Sequence, residues 1–85
     1  MKKITLFYLK RCPFCKKALA YIDSLKRLDI YKSVEIELIE ESEQAALADQ
    51  YDYYYVPTFY MDGVKVHEGG IFENEVEEIF KKALG

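Results

Sequence analysis

Ile4-Thr5-Leu6-Phe7-Tyr8-Leu9 and Cys12-Pro13-Phe14-Cys15, separated only by Lys10-Arg11, decide how this chain is read. The first six residues are almost all apolar, with aromatics and a β-branched residue, which is the composition of a strand buried on both faces. After Cys12 the period changes. Apolar residues recur at Cys15, Leu19, Ile22 and Leu25, with a parallel row at Phe14 and Ala18. This is one stripe of an amphipathic helix running from about Pro13 to Leu28. Asp23, Ser24, Lys26 and Arg27 take its other side.

A helix that starts at Pro13 separates the two cysteines. Cys12 comes just before it, where backbone N–H groups have no partner within the helix. Pro13 suits the first helical position, because its missing N–H would be unpaired there anyway. A thiolate at Cys12 meets the positive end of the helix dipole, which lowers its pKa from the usual value of roughly 8.5. Cys15 shares the buried stripe. An activated, accessible thiolate followed three residues later by a sheltered thiol is what thiol–disulfide exchange requires: the first attacks a substrate disulfide and the second resolves the mixed disulfide. Lys10, Arg11, Lys16 and Lys17 surround the pair. Cations in a first helical turn oppose the dipole by about a few tenths of a kcal/mol each. Such a broken local rule marks a functional site, although a solvated basic surface is the plain alternative.

Composition narrows the choices. Eighty-five residues, 51% of them hydrophobic, make one domain over residues 1–85 with a modest core. A net charge of −3 gives no footing for nucleic acid, which needs a clustered basic surface. No apolar run nears the roughly 18 residues of a membrane span, so no membrane partner is expected. The run behind Met1-Lys2-Lys3 is short and lacks a small-residue cleavage site, so the expected location is cytoplasmic. Two cysteines at this spacing, with no others, speak for redox chemistry in a reducing compartment and against a disulfide scaffold.

Along the rest of the chain, Ser33-Val34-Glu35-Ile36-Glu37-Leu38-Ile39 alternates as a half-exposed strand does. With the first strand and helix it makes a unit of two parallel strands and a right-handed crossover. Ser42 reads as the N-cap of a short helix over Ala45 to Tyr51. Tyr51-Asp52-Tyr53-Tyr54-Tyr55 leads into Val56-Pro57-Thr58-Phe59-Tyr60-Met61, a strand that begins at a proline, where a missing N–H is tolerated. Asp62-Gly63 is a tight-turn signal joining it to Val64-Lys65-Val66-His67 as a hairpin. Gly69-Gly70 breaks the chain. A last helix presents Phe72, Val76, Ile79, Phe80 and Ala83 on one face, with Glu77–Lys81 and Glu78–Lys82 as i,i+4 pairs.

This order, with one CxxC at the first strand–helix junction, resembles a glutaredoxin-type member of the thioredoxin-fold family. Cys12-Pro13-Phe14-Cys15 is similar to that family's CPYC motif, Val56-Pro57 to its cis-proline element, and Gly69-Gly70 to its glycine pair before the last helix. The resemblance implies an α/β thioredoxin-like fold, in the order strand-helix-strand-helix-strand-strand-helix. It further implies a four-stranded mixed sheet ordered second, first, third, fourth, with helices on both faces. It also implies a cis bond at Val56–Pro57, where sequence alone favours trans. Such a bond exposes the Val56 main chain to an extended substrate beside the thiolate.

The implied activity is that of a dithiol oxidoreductase, with Cys12 as nucleophile and Cys15 as resolving thiol, acting on protein or glutathione mixed disulfides. Lys10, Arg11, Phe14, Tyr55, Val56, Pro57, Gly69 and Gly70 are the implied substrate-binding residues. No bound cofactor is expected, with glutathione as a co-substrate, a reductase system as electron source and a monomer as the working form. Tyr53, Tyr54 and Tyr55 form an aromatic lip or pack under their own loop. His67 is read as a surface residue. The pattern departs from the family where Ile71, Phe72 and Glu73 follow the glycine pair and where Tyr55 precedes Val-Pro; both departures touch glutathione binding and leave the dithiol chemistry intact.

Other function classes fit less well. A thioredoxin-like reductase served by its own type of reductase lacks the Trp-Cys-Gly-Pro-Cys signature. Zinc wants about four ligands, and the chain offers two Cys and one His. The relatives that share an iron–sulfur cluster between two subunits usually lack a proline after the first cysteine. A redox-inert adaptor has no use for an intact cysteine pair.

Overall fold

The computed structural model describes all of residues 1–85. Strand β1 is Ile4–Tyr8, helix α1 Pro13–Lys26, β2 Ile36–Glu40, α2 Ala45–Ala48, β3 Thr58–Met61, β4 Val64–Glu68 and α3 Glu73–Leu84. The sheet order is β2-β1-β3-β4. β1 runs parallel to β2 and antiparallel to β3, and β3 runs antiparallel to β4. Both the element order and the strand order agree with the expectation.

Pleating splits the apolar residues of the central strands between two faces. Ile4 and Leu6 of β1, with Phe59 and Met61 of β3, meet Ala18, Ile22 and Leu25 of α1 and Val76, Ile79, Phe80 and Ala83 of α3. The opposite face is thinner: Phe7, Ile39, Ala48 and Tyr60, with Tyr51 and Tyr53 packed against them. Phe7 lies at its centre, 4.6 Å from the Tyr51 ring centroid and 5.1 Å from that of Tyr53. At the far end of β1 the chain ends are joined: Lys2 N–H donates to Ala83 O at 2.9 Å. Asp62 and Lys3 exchange two hydrogen bonds there.

Several boundaries differ from the sequence reading, each for a local reason. α1 stops at Lys26, and a 3-10 turn over Asp29–Tyr31 follows with Leu28 exposed. β2 starts at Ile36, because the Val34 N–H is already taken by Tyr31 O. α2 is a single turn capped by Gln44; Ser42 instead donates to Glu40 from both its N–H and its hydroxyl. β3 begins at Thr58, after the proline. Phe72 is the N-cap of α3 and 72% exposed, so it does not share the buried face of that helix. The two expected i,i+4 pairs do not form: Glu78 pairs with Lys81 at 3.6 Å, and Glu77 accepts from the Tyr31 hydroxyl at 2.8 Å.

Candidate active site

Cys12 is the N-cap of α1, extended at φ −77° and ψ 122°, with Pro13 opening the helix as its sequence position demands. Its thiol is partly exposed and stands beside the first-turn amides of Phe14 and Cys15. Burial pushes its pKa up, but hydrogen bonds from the Cys15 N–H, the Cys15 thiol and the Phe14 N–H outweigh this, and the net shift is downward. Cys15, one turn on, is fully buried in the stripe shared with Ala18 and Ile22. Burial pushes its thiol up to about 12, and the Leu9 N–H, which donates to its sulfur at 3.4 Å, only partly offsets this. Both cysteines are free thiols. Two thiols of one element thus have opposite acidities, set by where the helix begins.

The second wall of the site comes from the loop before β3. The Val56–Pro57 bond is cis, Pro57 is buried, and Cys12 Sγ lies 3.9 Å from Val56 O. Tyr55 is exposed. Its N–H donates to Glu68 at 2.9 Å, as does the N–H of Tyr54, and its carbonyl accepts from the Thr58 hydroxyl. The third wall is the turn into α3. Gly69 takes φ +93°, the left-handed region that glycine occupies most easily, and donates to Pro57 O at 2.8 Å. Gly70 lies against Phe14, where an added Cβ would sit 3.2 Å from the ring. Phe14, Lys17, Tyr21, Gly70, Ile71 and Phe72 line a cleft of about 220 Å³ beside the motif. A larger depression of about 580 Å³, between Lys2, Met61, Val64 and Lys82, lies at the other end of the sheet and holds no nucleophile.

Of the residues expected to bind substrate, Phe14 and Gly70 line the cleft beside the motif, Val56 stands next to Cys12, Gly69 is bonded to Pro57, and Tyr55 is exposed on the loop just before them. The basic residues diverge. Arg11 is exposed and unpaired, whereas the Lys10 ammonium is paired with Glu43, which also raises its pKa. His67 hydrogen-bonds Gly70 O at 2.8 Å and supports the glycine turn. Tyr53 does not form a lip: it packs on Phe7 and donates to Glu41 at 2.6 Å. Tyr54 and Tyr55 do. No three metal-ligating side chains converge anywhere in the fold.

Sequence reasoning missed two carboxylates. Glu40, at the end of β2, is buried and accepts from the Lys10 N–H at 3.0 Å, from both Ser42 donors at 2.6 Å, and from the Glu43 N–H at 3.2 Å. The Ser42 hydroxyl, then these amides, hold its pKa at about 2. It fastens the loop that delivers Cys12 to the end of the neighbouring strand. Glu68, at the end of β4, does the same for the Tyr54–Tyr55 loop. A clue to Glu40 exists in sequence, since a glutamate followed by Ser42 and further acids suits a turn rich in free amides. Glu68 has none.

Comparison with known proteins decides the family. The glutaredoxin sequence family matches residues 4–66, from β1 through the cysteine motif and the cis-proline loop into β4. The chain belongs to the glutaredoxin family. A glutaredoxin-family fold that holds a close CxxC pair at a helix start is a thiol–disulfide oxidoreductase. A search of curated proteins by sequence gives no match. Among solved structures, one titled only as a malarial protein superposes with a TM-score of 0.78 at 18% identity, over 100% of this chain and 99% of that one. The thioredoxin of Malassezia sympodialis gives 0.80 at 16% identity, over 99% and 76% of the two chains. The thioredoxin of Fasciola hepatica gives 0.77 at 20% identity, over 96% and 80%. At such identities these structures speak for the fold this glutaredoxin-family chain shares with thioredoxins.

Proposed function

We propose that Cys12 is the nucleophile and Cys15 the resolving thiol of a reductase for protein or glutathione mixed disulfides. The opposite acidities of the two thiols carry this reading. The Cys12 thiolate attacks one sulfur of a substrate disulfide, forming a mixed disulfide and expelling the other sulfur as a thiolate. Cys15 gives up its proton, which goes to the expelled thiolate or to water, and attacks Cys12 Sγ. The second substrate sulfur leaves. Two electrons have then passed from the dithiol to the substrate, and the Cys12–Cys15 disulfide awaits a reductant. Keeping Cys15 protonated until that moment prevents premature closure. Such a cycle suits a monomer in the reducing cytoplasm, needs no bound cofactor, and draws on an external reductase system.

Cys12→Ser is expected to abolish turnover, while Cys15→Ser still attacks and accumulates the mixed disulfide, visible by mass spectrometry. Full activity in Cys12→Ser overturns the assignment. One observation favours protein disulfides reduced through a thioredoxin-type reductase over glutathione. Glutathione carries two carboxylates, yet Lys10 is paired with Glu43, which leaves Arg11 as the unpaired cation expected there, and at the start of α3 the Phe72 N–H is already taken by the Glu75 carboxylate at 3.0 Å. NADPH consumption coupled through glutathione and its reductase, or through a thioredoxin reductase, separates the two.

A further inference from the structure

The sheet edge at β4 carries an irregularity whose purpose lies at the site. Opposite β3, Thr58 pairs with Glu68, Phe59 with His67 and Tyr60 with Lys65, so Val66 is an extra residue, a β-bulge. In a regular strand, residues three apart point to opposite faces. The bulge cancels this, because Tyr60 and Thr58 are two apart and share a face, and their partners Lys65 and Glu68 share it with them. The two side chains meet as an ion pair at 2.8 Å on the thin face of the sheet. Each then reaches the loop that precedes Pro57. Lys65 Nζ donates to Asp52 O at 3.3 Å. Glu68 Oε2 accepts the N–H groups of Tyr54 and Tyr55. Cation on carbonyl and anion on amides grip the loop from both ends, and Tyr54–Tyr55 directly precede the two residues of the cis bond.

We propose that the Lys65–Glu68 pair is a positioning clamp that fixes Tyr54, Tyr55 and Val56 for substrate docking beside Cys12. The proposal rests on the reading of Cys12 as the nucleophile. The pair touches neither cysteine, so its loss acts on substrate binding and leaves the thiolate alone. Tyr54 and Tyr55 are 85% and 71% exposed, so their own side chains bury too little to hold the backbone in place. The remaining ties of Asp52 and Tyr55 come from the Tyr60 and Thr58 hydroxyls. Glu68 is the acceptor for both loop amides, which makes it the indispensable half.

The test compares Glu68→Gln, Glu68→Ala and the swapped double variant Lys65→Glu/Glu68→Lys. Turnover of insulin disulfides with dithiothreitol as electron source gives KM and kcat. The rate of iodoacetamide alkylation against pH gives the Cys12 thiolate, and NMR amide exchange at Tyr54 and Tyr55 gives the grip itself. Glu68→Ala is expected to raise KM about tenfold, the consequence of losing a charge-assisted contact, with kcat and the alkylation profile unchanged. Both amides lose their protection. Glu68→Gln, which keeps an acceptor oxygen, recovers part of both. The swap restores an ion pair but presents an ammonium to two N–H groups, so thermal stability returns while KM stays raised. A swap that restores KM, or variants with unchanged KM and amide protection, overturn the clamp. Wild-type turnover in Cys12→Ser overturns the underlying reading instead.

Discussion

The two faces of the sheet hold the site by different means. On the α1/α3 face, fourteen buried residues interlock and Cys15 descends beside them. On the other face only four residues are buried in the cluster, and the loop carrying Tyr54, Tyr55 and Val56 is held by hydroxyls, amides and carboxylates. The nucleophile's helix is fixed by packing, which is insensitive to pH and non-directional. The substrate-facing wall is fixed by hydrogen bonds, which are directional and lost one at a time. Damage on the thick side is therefore expected as a large loss of stability, and damage on the thin side as a smaller one accompanied by lost substrate affinity.

Phe80→Ala breaks the comparison most severely. Phe80 is fully buried and packs edge-on against Tyr31 at 5.6 Å, so its truncation is expected to cost about 3–5 kcal/mol in urea unfolding. The alkylation profile of Cys12 in the remaining folded protein should stay put. On the thin face, Tyr53→Phe removes the hydroxyl that donates to Glu41 and is expected to cost about 1.5–3 kcal/mol, less than the deletion in the thick core. A thin-face loss that matches Phe80→Ala would mean the two faces share the load equally.

The pH limbs sharpen the contrast. Cys15 rises from an ordinary 9.0 to about 12 on folding, because burial opposes its charge. A raised pKa contributes stability that is complete below 9.0 and lost as pH climbs towards 12. The stability difference between the reduced protein and Cys15→Ala is expected to shift against the native protein over that interval, as read by denaturant midpoints. Glu40 and Glu68 are shifted the other way, from an ordinary 4.5 to about 2, by the Ser42 hydroxyl and by Lys65 respectively. Their contribution is complete above 4.5 and disappears as pH falls through 2. Glu40→Gln and Glu68→Gln should flatten the acid limb of a thermal-stability profile there. Smallest of all, Glu78→Ala at the exposed pair with Lys81 is expected to change stability by less than about 0.5 kcal/mol.

What the sequence disclosed follows the range over which the physics acts. The cysteine acidities come from a helix start that Pro13 announces, and the hairpin from Asp62-Gly63, with φ +50° and +83° in the turn. These are local. The sheet order and the cis bond at Pro57 followed from the family resemblance, which the fold agrees with. Helical spacing puts Phe72 on the buried face because it ignores the cap: α3 begins one residue later, and the side chain at its threshold is exposed. Glu40 leaves only a faint sequence clue and Glu68 none, for another reason. The loop amides that they hold are distant: Lys10 lies 30 residues from Glu40, and Tyr54 and Tyr55 lie 14 and 13 residues from Glu68. The Lys65–Glu68 contact depends on a bulge that only strand pairing reveals. The polar half of the site was hidden because it is made of such distant bonds.

The hydrogen bond from Lys2 to Ala83 has a consequence for how the chain could be rewired. It lies before β1, and Cys12 lies after it, so the strand's length of roughly 17 Å separates the two. A short glycine linker from Gly85 to Met1 would close the backbone into a ring without approaching the thiols. New ends could then be opened at Ser33, an exposed turn residue between α1 and β2. Such a permutant would sever the parallel crossover while preserving every bond around Cys12. Its activity would report whether the site needs the crossover's connectivity or only its packing.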